Sequence, residues 1–198
     1  MNKLITHSRK RTNARGFTLI ELIVVLGILT VISGVTLTSY SKFGGQMLLR
    51  NLAYDVALSI RGVQVSGISA RSFRGTQFTK GHGLSFDIAT ANREFFLYAD
   101  VDDNRFYTSA ATEWIETVTI GNGYAIDSIC IPTGVTTENC NITELDILFR
   151  RPEPDAIIRA SDGSGFNTYT RARIVIKSPQ GEKLSVLVET TGQISVQR

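Results

Sequence analysis

Residues 16–21 read Gly-Phe-Thr-Leu-Ile-Glu and open the longest apolar stretch of the chain. Between Phe17 and Ser41 the only charged residue is Glu21. The part from Leu22 to Ser41 carries no charge and is rich in Leu, Ile and Val. A helix needs about 20 predominantly apolar residues to cross a bilayer. The sequence therefore predicts one membrane-spanning helix near its N-terminus.

The segment before this helix is basic. It contains five basic residues and no acidic residue: Lys3, Arg9, Lys10, Arg11 and Arg15. The positive-inside rule then leaves the N-terminus in the cytoplasm and places the rest of the chain on the other side. An ordinary secretory signal is the alternative. The apolar run is longer than the usual signal core, and no clear small-x-small cleavage site follows it.

A basic segment, a Gly-Phe pair and a glutamate four residues after the Phe form a specific arrangement. It resembles the class III signal of type IV prepilins and of type II secretion pseudopilins. The resemblance implies that a prepilin peptidase cuts between Gly16 and Phe17 and methylates Phe17. It also implies that Glu21 pairs with the N-terminal amine of a neighbouring subunit in a filament. The alternative for Glu21 is a position near the headgroups, where a carboxylate in a membrane helix costs less.

The resemblance divides the chain into four parts, which are a cleaved leader (1–16), a transmembrane or filament-core helix (17–41), an amphipathic continuation (42–71) and a head (72–198). Seven apolar residues support the continuation because they recur at three- and four-residue steps: Leu48, Leu49, Leu52, Val56, Ile60, Val63 and Ile68. The pair Gly44-Gly45 favours an interruption of the helix, since glycine weakens a helix.

From residue 82 onward the pattern is typical of strands. Strands are predicted in eight runs: 84–88, 94–98, 114–120, 124–131, 145–149, 171–177, 183–189 and 193–197. A long helix followed by many short strands predicts an α+β fold with the helix packed on an antiparallel sheet. The layout is also similar to the GspH/FimT subgroup of minor pilins and pseudopilins. The features that carry this likeness are the acidic segment 100–104 and the Gly-x-Ile-x-Val ending at 192–196.

The basic character of the whole chain comes from the leader. The net charge is +3, but the leader carries five of the 21 basic residues, so the remainder has 16 basic and 18 acidic residues and a net charge of −2. DNA binding therefore needs a local patch. Basic residues do collect from Arg150 onward, and the FimT-like branch includes DNA-uptake pilins. Their C-terminal Gly-Arg-x-Arg motif is absent from this sequence, and nucleic acid stays an alternative partner.

A weak calcium site is one interpretation of Asp100, Asp102 and Asn104. Their D-x-D-x-N spacing is that of the first half of a calcium loop, in which alternate oxygen ligands converge on the ion. The full pattern fails, because Arg105 replaces the usual glycine and Ala111 stands at the twelfth position in place of a glutamate. The alternative is a solvated acidic turn.

Cys130 and Cys140 are the only cysteines, and both fall on the predicted extracytoplasmic side. A disulfide is expected there, and two buried thiols are the alternative. No catalytic motif, phosphate loop or metal-binding cluster of His and Cys occurs, so neither an enzyme nor a cofactor is predicted.

The resemblance implies three kinds of partner, namely other pilin or pseudopilin subunits, the prepilin peptidase and an inner-membrane assembly platform. The expected location is a single-pass cytoplasmic membrane protein with an extracytoplasmic head, and later a cell-surface or periplasmic filament. The expected role is to prime or decorate that filament. A membrane-anchored adhesin or sensor that never enters a filament is the remaining alternative.

Overall fold

The structure is a computed structural model that describes residues 16–69, 72–73, 77–78, 81–134 and 136–197. Within these ranges one helix precedes a series of strands. The elements are α1 (Leu19–Ile68), β1 (Ser72–Phe73), β2 (Gln77–Phe78), β3 (Gly81–Asp87), β4 (Glu94–Ala99), β5 (Trp114–Thr119), β6 (Ala125–Pro132), β7 (Glu138–Ile142), β8 (Glu144–Arg150), β9 (Ala156–Ser161), β10 (Phe166–Tyr169), β11 (Arg171–Lys177), β12 (Lys183–Glu189) and β13 (Ile194–Gln197).

Contacts within the chain separate two units, Met1–Lys42 and Phe43–Arg198. The described part of the first unit is the beginning of α1 and the three residues before it. The second unit contains the rest of α1 and all of the strands. The predicted α+β class is confirmed, since helix and strands are segregated along the chain.

The strands of the second unit form antiparallel sheets. The larger sheet has six strands in the order β10-β9-β8-β3-β4-β5, the other has five in the order β13-β12-β11-β6-β7, and β1 pairs with β2 separately. The predicted C-terminal meander is present, with β11 paired to β12 and β12 paired to β13. The loop between β4 and β5 therefore leaves the larger sheet near its β5 edge.

One face of α1 closes the core of the second unit. Leu49, Ala53, Val56, Ile60 and Val63 are each at most 4% exposed. Their steps of four and three residues place them on one face of a helix. They belong to a single apolar cluster that also contains inward-facing residues of both large sheets. The amphipathic pattern thus predicted most of the buried face. Leu52 and Ile68 are only half-buried, Ala53 was not predicted, and Leu48 is 47% exposed because its neighbour Leu49 occupies the core position.

The glycines of α1 show how closely this helix is packed. The expected interruption at Gly44-Gly45 is wrong, because both residues are helical. The Tyr124 hydroxyl donates to the carbonyl oxygen of Gly45 at 3.0 Å, so a contact from the strand region supports this turn. Further along, a Cβ on Gly67 would lie 2.3 Å from the carbonyl oxygen of Phe149. Glycine is therefore required at 67 by the close approach of α1 to β8.

The eight predicted strands are all observed, with ends that differ by up to three residues. Three other strands longer than two residues were missed. β7 reads Glu-Asn-Cys-Asn-Ile and lacks apolar alternation. β9 is short and follows a segment with two prolines, and β10 reads Phe-Asn-Thr-Tyr and lies mostly exposed at the sheet edge. Their pairing partners, rather than their own composition, make these segments strands.

Candidate functional site

The start of α1 is fixed by a threonine. The backbone N–H of Glu21 donates to Thr18 Oγ1 at 3.3 Å, and the N–H of Leu22 donates to the Thr18 carbonyl at 3.2 Å. Thr18 is therefore the N-cap residue, since its side chain satisfies an N–H group that has no partner within the helix. Glu21 stands three residues later, in the first turn, where a carboxylate is favoured by the helix dipole.

Residues 16–37 are all exposed and form no apolar core of their own. A span of 19 residues, Leu19–Leu37, has a mean hydropathy of 2.4, and none of it is buried within the chain. Phe17, just before the helix, is 83% exposed. A helix that is apolar on all sides must be covered by lipid or by other apolar helices. With its position near the N-terminus, this span is suited to a single-pass membrane anchor.

Polar groups within this span are satisfied locally. Thr30 Oγ1 donates to the Gly27 carbonyl at 2.8 Å, and Thr36 Oγ1 donates to the carbonyls of Ile32 and Ser33 at 3.0 Å. Such bonds are needed in a bilayer, because water is not there to accept them. Glu21 is the one ionisable side chain within Leu19–Leu37, so it is the one side chain of this span that can carry a charge.

A second cluster of polar groups lies in the loop between β4 and β5, at residues 100–113. Carboxylate oxygens of Asp100, Asp102 and Glu113 all lie within 4.8 Å of one another. Asp100 and Glu113 are each 1% exposed. Burial raises the pKa of the Asp100 carboxyl and that of Glu113, and the charges of neighbouring carboxylates add to this in both cases.

Asn104, predicted as a third oxygen ligand, has a different role in the structure. Its Oδ1 accepts the backbone N–H of Phe106 at 2.9 Å, and its Nδ2 donates to Asp102 Oδ2 at 2.8 Å. Asn104 thus holds the turn and orients Asp102. Glu113, which the spacing did not predict, lies beside the two aspartates.

A buried acid lies where this loop touches the larger sheet. Asp146 on β8 is 3% exposed and pairs in register with Ser85 on β3 and Arg159 on β9. Burial raises the pKa of Asp146 to about 7, although the Ser85 hydroxyl, the Arg159 charge and the N–H of Tyr107 favour the ionised form. Because Tyr107 belongs to the loop, this contact links the loop to the sheet.

Aromatic packing makes a further contact at the same place. The rings of Phe106 and Phe166 are stacked with centroids 6.2 Å apart. The guanidinium carbon of Arg159 lies 4.5 Å from the Phe106 centroid and 5.2 Å from that of Phe166. Cation–π contacts of this kind contribute about 0.5–1 kcal/mol at exposed sites.

Cys130 and Cys140 are joined by a disulfide in the structure, with their sulfur atoms 2.00 Å apart. Cys130 is on β6 and Cys140 is on β7, which forms one edge of the five-stranded sheet. The bond therefore joins an edge strand to its only neighbour within the described sheet.

The basic residues from Arg150 onward are partly neutralised by carboxylates in the described part of the chain. Five of them are paired with carboxylates in the structure: Arg150 with Asp103, Arg171 and Arg173 with Glu138, and Lys177 and Lys183 with Asp127. The hydrogen bond from Lys183 is the main reason that the pKa of Asp127 is lowered. Arg198, the last basic residue, lies outside the described residues. These pairs leave less positive charge for the phosphates of a nucleic acid.

Three functional residues were missed by the sequence reasoning. Thr18 could have been found, because Thr-x-x-Glu before an apolar run is the signature of a helix N-cap. Glu113 stands two residues beyond the position that the calcium-loop pattern requires, so the pattern excluded it. Asp146 is one of two acids in strand β8, with Glu144 at its start, and only its partners on neighbouring strands reveal that it is buried.

Comparisons with known proteins identify one segment. Residues 11–37 match the family model of the prokaryotic N-terminal methylation motif. No curated protein and no solved structure matches the chain. The matched segment contains the Gly16–Phe17 junction, the N-cap residue Thr18, Glu21 and the whole exposed apolar span.

Proposed function

We propose that this chain is a type IV pilin-like precursor, which a prepilin peptidase cuts between Gly16 and Phe17 and methylates on Phe17. The observation that carries the proposal is the methylation motif at residues 11–37. The apolar span Leu19–Leu37 that follows the junction is consistent with a type IV pilin or pseudopilin. A structural subunit of this kind fits a chain whose sequence has no catalytic motif.

Assembly into a filament is the second step of the proposal. Cleavage would create a positively charged amine on Phe17, four residues before Glu21. In the subunit itself Glu21 is in the first turn of α1, and its backbone N–H is bonded to Thr18. We propose that its carboxylate pairs with the Phe17 amine of a neighbouring subunit. A buried ion pair is weak evidence for stability but can fix register.

The remaining parts of the proposal concern organisation and role. The leader would be residues 1–16, the membrane or filament-core helix 17–41, its amphipathic continuation 42–71 and the head 72–198. The head would lie outside the cytoplasmic membrane and would prime or decorate a type IV pilus or type II secretion pseudopilus, as a minor subunit. Its partners would be other subunits, the prepilin peptidase and the inner-membrane assembly platform.

The experiment that tests processing is mass spectrometry of the N-terminal peptide from membranes of the native host. We expect a peptide that begins at methylated Phe17. Gly16→Val should block cleavage and leave the leader attached, whereas Gly27→Ala, within the apolar span and with open space around it, should be cut normally. An intact leader in the unmodified chain would refute the proposal and leave a membrane-anchored adhesin or sensor.

Assembly is tested separately with Glu21→Ala, and with Thr30→Val as a control in the same span. The Glu21 variant should be cleaved and retained in the membrane but should fall at least about tenfold in the sheared filament fraction. That loss corresponds to about 1.4 kcal/mol. The Thr30 variant removes only a hydroxyl that is bonded to its own helix and should be incorporated. Normal incorporation of the Glu21 variant would count against the pairing.

A further inference from the structure

The acidic loop at residues 100–113 brings three carboxylates together, with their ligand oxygens within 4.8 Å of one another. Asp100 follows the last residue of β4, and Glu113 precedes the first residue of β5. In the described part of the chain, no lysine or arginine forms an ion pair with Asp100, Asp102 or Glu113. The ion pair of this loop instead joins Asp103 to Arg150, at 3.3 Å.

The buried side chain of Asp100 is an independent indication that this loop binds a cation. Its side chain is 1% exposed, and its Oδ1 is buried without a hydrogen-bond partner among the described residues. Its Oδ2 accepts the backbone N–H of Arg105 at 3.3 Å, and the backbone N–H of Asp103 also donates to this carboxylate. A buried carboxylate is costly unless it is paired. The nearby side chains of Asp102 and Glu113 are also acidic, so they cannot supply the positive charge.

The loop already holds the other two carboxylates in place. Glu113 Oε1 accepts the N–H of Val101 at 3.2 Å, and its Oε2 accepts the N–H of Thr108 at 2.8 Å. Asp102 receives two bonds from Asn104, one from its backbone N–H at 3.2 Å and one from its side-chain amide at 2.8 Å. Each carboxylate oxygen has a second lone pair that these bonds leave available.

We propose that Asp100, Asp102 and Glu113 bind one Ca²⁺ ion. Ca²⁺ takes six to eight oxygen ligands at about 2.3–2.6 Å. Two oxygens on opposite sides of one ion are therefore about 4.6–5.2 Å apart. One carboxylate oxygen from each of the three residues lies within 4.8 Å of the other two, which matches this spacing. Backbone carbonyls and water complete the coordination. The cluster offers only oxygen ligands, which suits a hard cation rather than zinc or copper.

The ligand set explains why the calcium-loop pattern in the sequence was incomplete. The glutamate expected at the twelfth position of the loop is supplied two residues later, by Glu113. Asn104 orients this set, because its Nδ2 donates to Asp102 Oδ2 at 2.8 Å. One ion would join the end of β4 to the start of β5 and would hold the turn that places Phe106 and Tyr107 over the larger sheet.

The test is a Ca²⁺ titration of the full chain in a non-ionic detergent, after removal of divalent ions. Trp114, the only tryptophan, directly follows Glu113 and reports binding by fluorescence, and isothermal titration calorimetry gives the stoichiometry. We expect one ion with a Kd of about 10⁻⁴–10⁻³ M, as in extracellular calcium modules. Mg²⁺ should bind at least about tenfold more weakly, because it demands a stricter octahedral geometry.

Two variants and one matched control locate the site. Asp102→Asn changes an exposed side chain, so the fold is retained, and it should weaken binding at least tenfold. Glu113→Gln should weaken it further. Asp103→Asn makes the same change of charge in the same loop and should weaken binding clearly less than Asp102→Asn, since the charge of Asp103 acts on Asp100 from nearby but its carboxylate is engaged with Arg150.

Three outcomes would overturn the proposal. They are no saturable binding by about 20 mM Ca²⁺, unchanged binding in the variant that combines Asp102→Asn with Glu113→Gln, and equal weakening by Asp103→Asn and Asp102→Asn. The last would indicate a diffuse attraction to acidic charge. None of these outcomes bears on cleavage after Gly16, so the calcium site and the proposed function fail independently.

Discussion

Replacing Asp146 with asparagine should stabilise the head at neutral and alkaline pH. In the folded chain the pKa of Asp146 is raised from 3.8 to about 7, chiefly by burial. In the unfolded chain the carboxyl loses its proton near pH 4. Between these two values the folded state binds more protons than the unfolded state, so stability falls as the pH rises. Above about pH 7 this loss of stability is complete, and the stability no longer changes through this group.

The size of the effect follows from the two pKa values. Each pH unit within the window costs about 1.4 kcal/mol, so the full loss is about 4 kcal/mol. Asparagine has no charge to bury, and its side-chain oxygen can accept the same bonds from Ser85 and the Tyr107 N–H. The difference in unfolding free energy between Asp146→Asn and the original chain should therefore rise by about 4 kcal/mol from pH 4 to pH 8.

The assay is urea unfolding of the full chain in a non-ionic detergent, followed by Trp114 fluorescence at several pH values. Only the change with pH is diagnostic, because asparagine and a protonated aspartate also differ in packing by a constant amount. Asp155→Asn, the same change at an exposed side chain, controls for net charge. A difference that does not vary between pH 4 and pH 8 would refute the reasoning.

Three further substitutions test the packing of the head by the same assay. Gly67→Ala should lower the free energy of unfolding by about 2–4 kcal/mol, since the added Cβ meets the carbonyl oxygen of Phe149. The control is Gly62→Ala, in the same helix with open space around it. It should be neutral or stabilising by up to about 1 kcal/mol. Gln64→Leu should cost about 1–3 kcal/mol, because Gln64 is 7% exposed and bonds two carbonyl groups; an unchanged midpoint would contradict this. Replacing both Cys130 and Cys140 with serine should lower the free energy of unfolding by about 3 kcal/mol for a loop of this length. Reducing the disulfide of the original chain should lower it by about the same amount.

The sequence predicted the elements whose own residues determine them. The apolar span depends on composition alone, and most of the buried face of α1 depends on the spacing of Leu49, Val56, Ile60 and Val63. Strand β11 was located to the residue because it alternates and is followed by a turn. In these places local pattern and final environment agree, and the prediction needs no knowledge of distant contacts.

What the sequence did not predict depends on contacts between distant segments. The helix continues through Gly44-Gly45, where the Tyr124 hydroxyl bonds the Gly45 carbonyl. The strand β7 is polar and is held by its pairing with β6 and by the disulfide. Glu113 reaches Asp100 because the β4–β5 loop folds back on itself, and no local spacing rule contains that information.

The exposed apolar span Leu19–Leu37 has a consequence for any exchange between membrane and filament. Lipid tails and apolar helices are similar solvents for Leu, Ile and Val, so moving this span from one to the other releases little hydrophobic free energy. The balance is then set by small terms, namely close packing and the few polar contacts near Glu21. In the filament proposed above, a helix held in this way would join or leave its neighbours at low cost in either direction, so its insertion would be reversible.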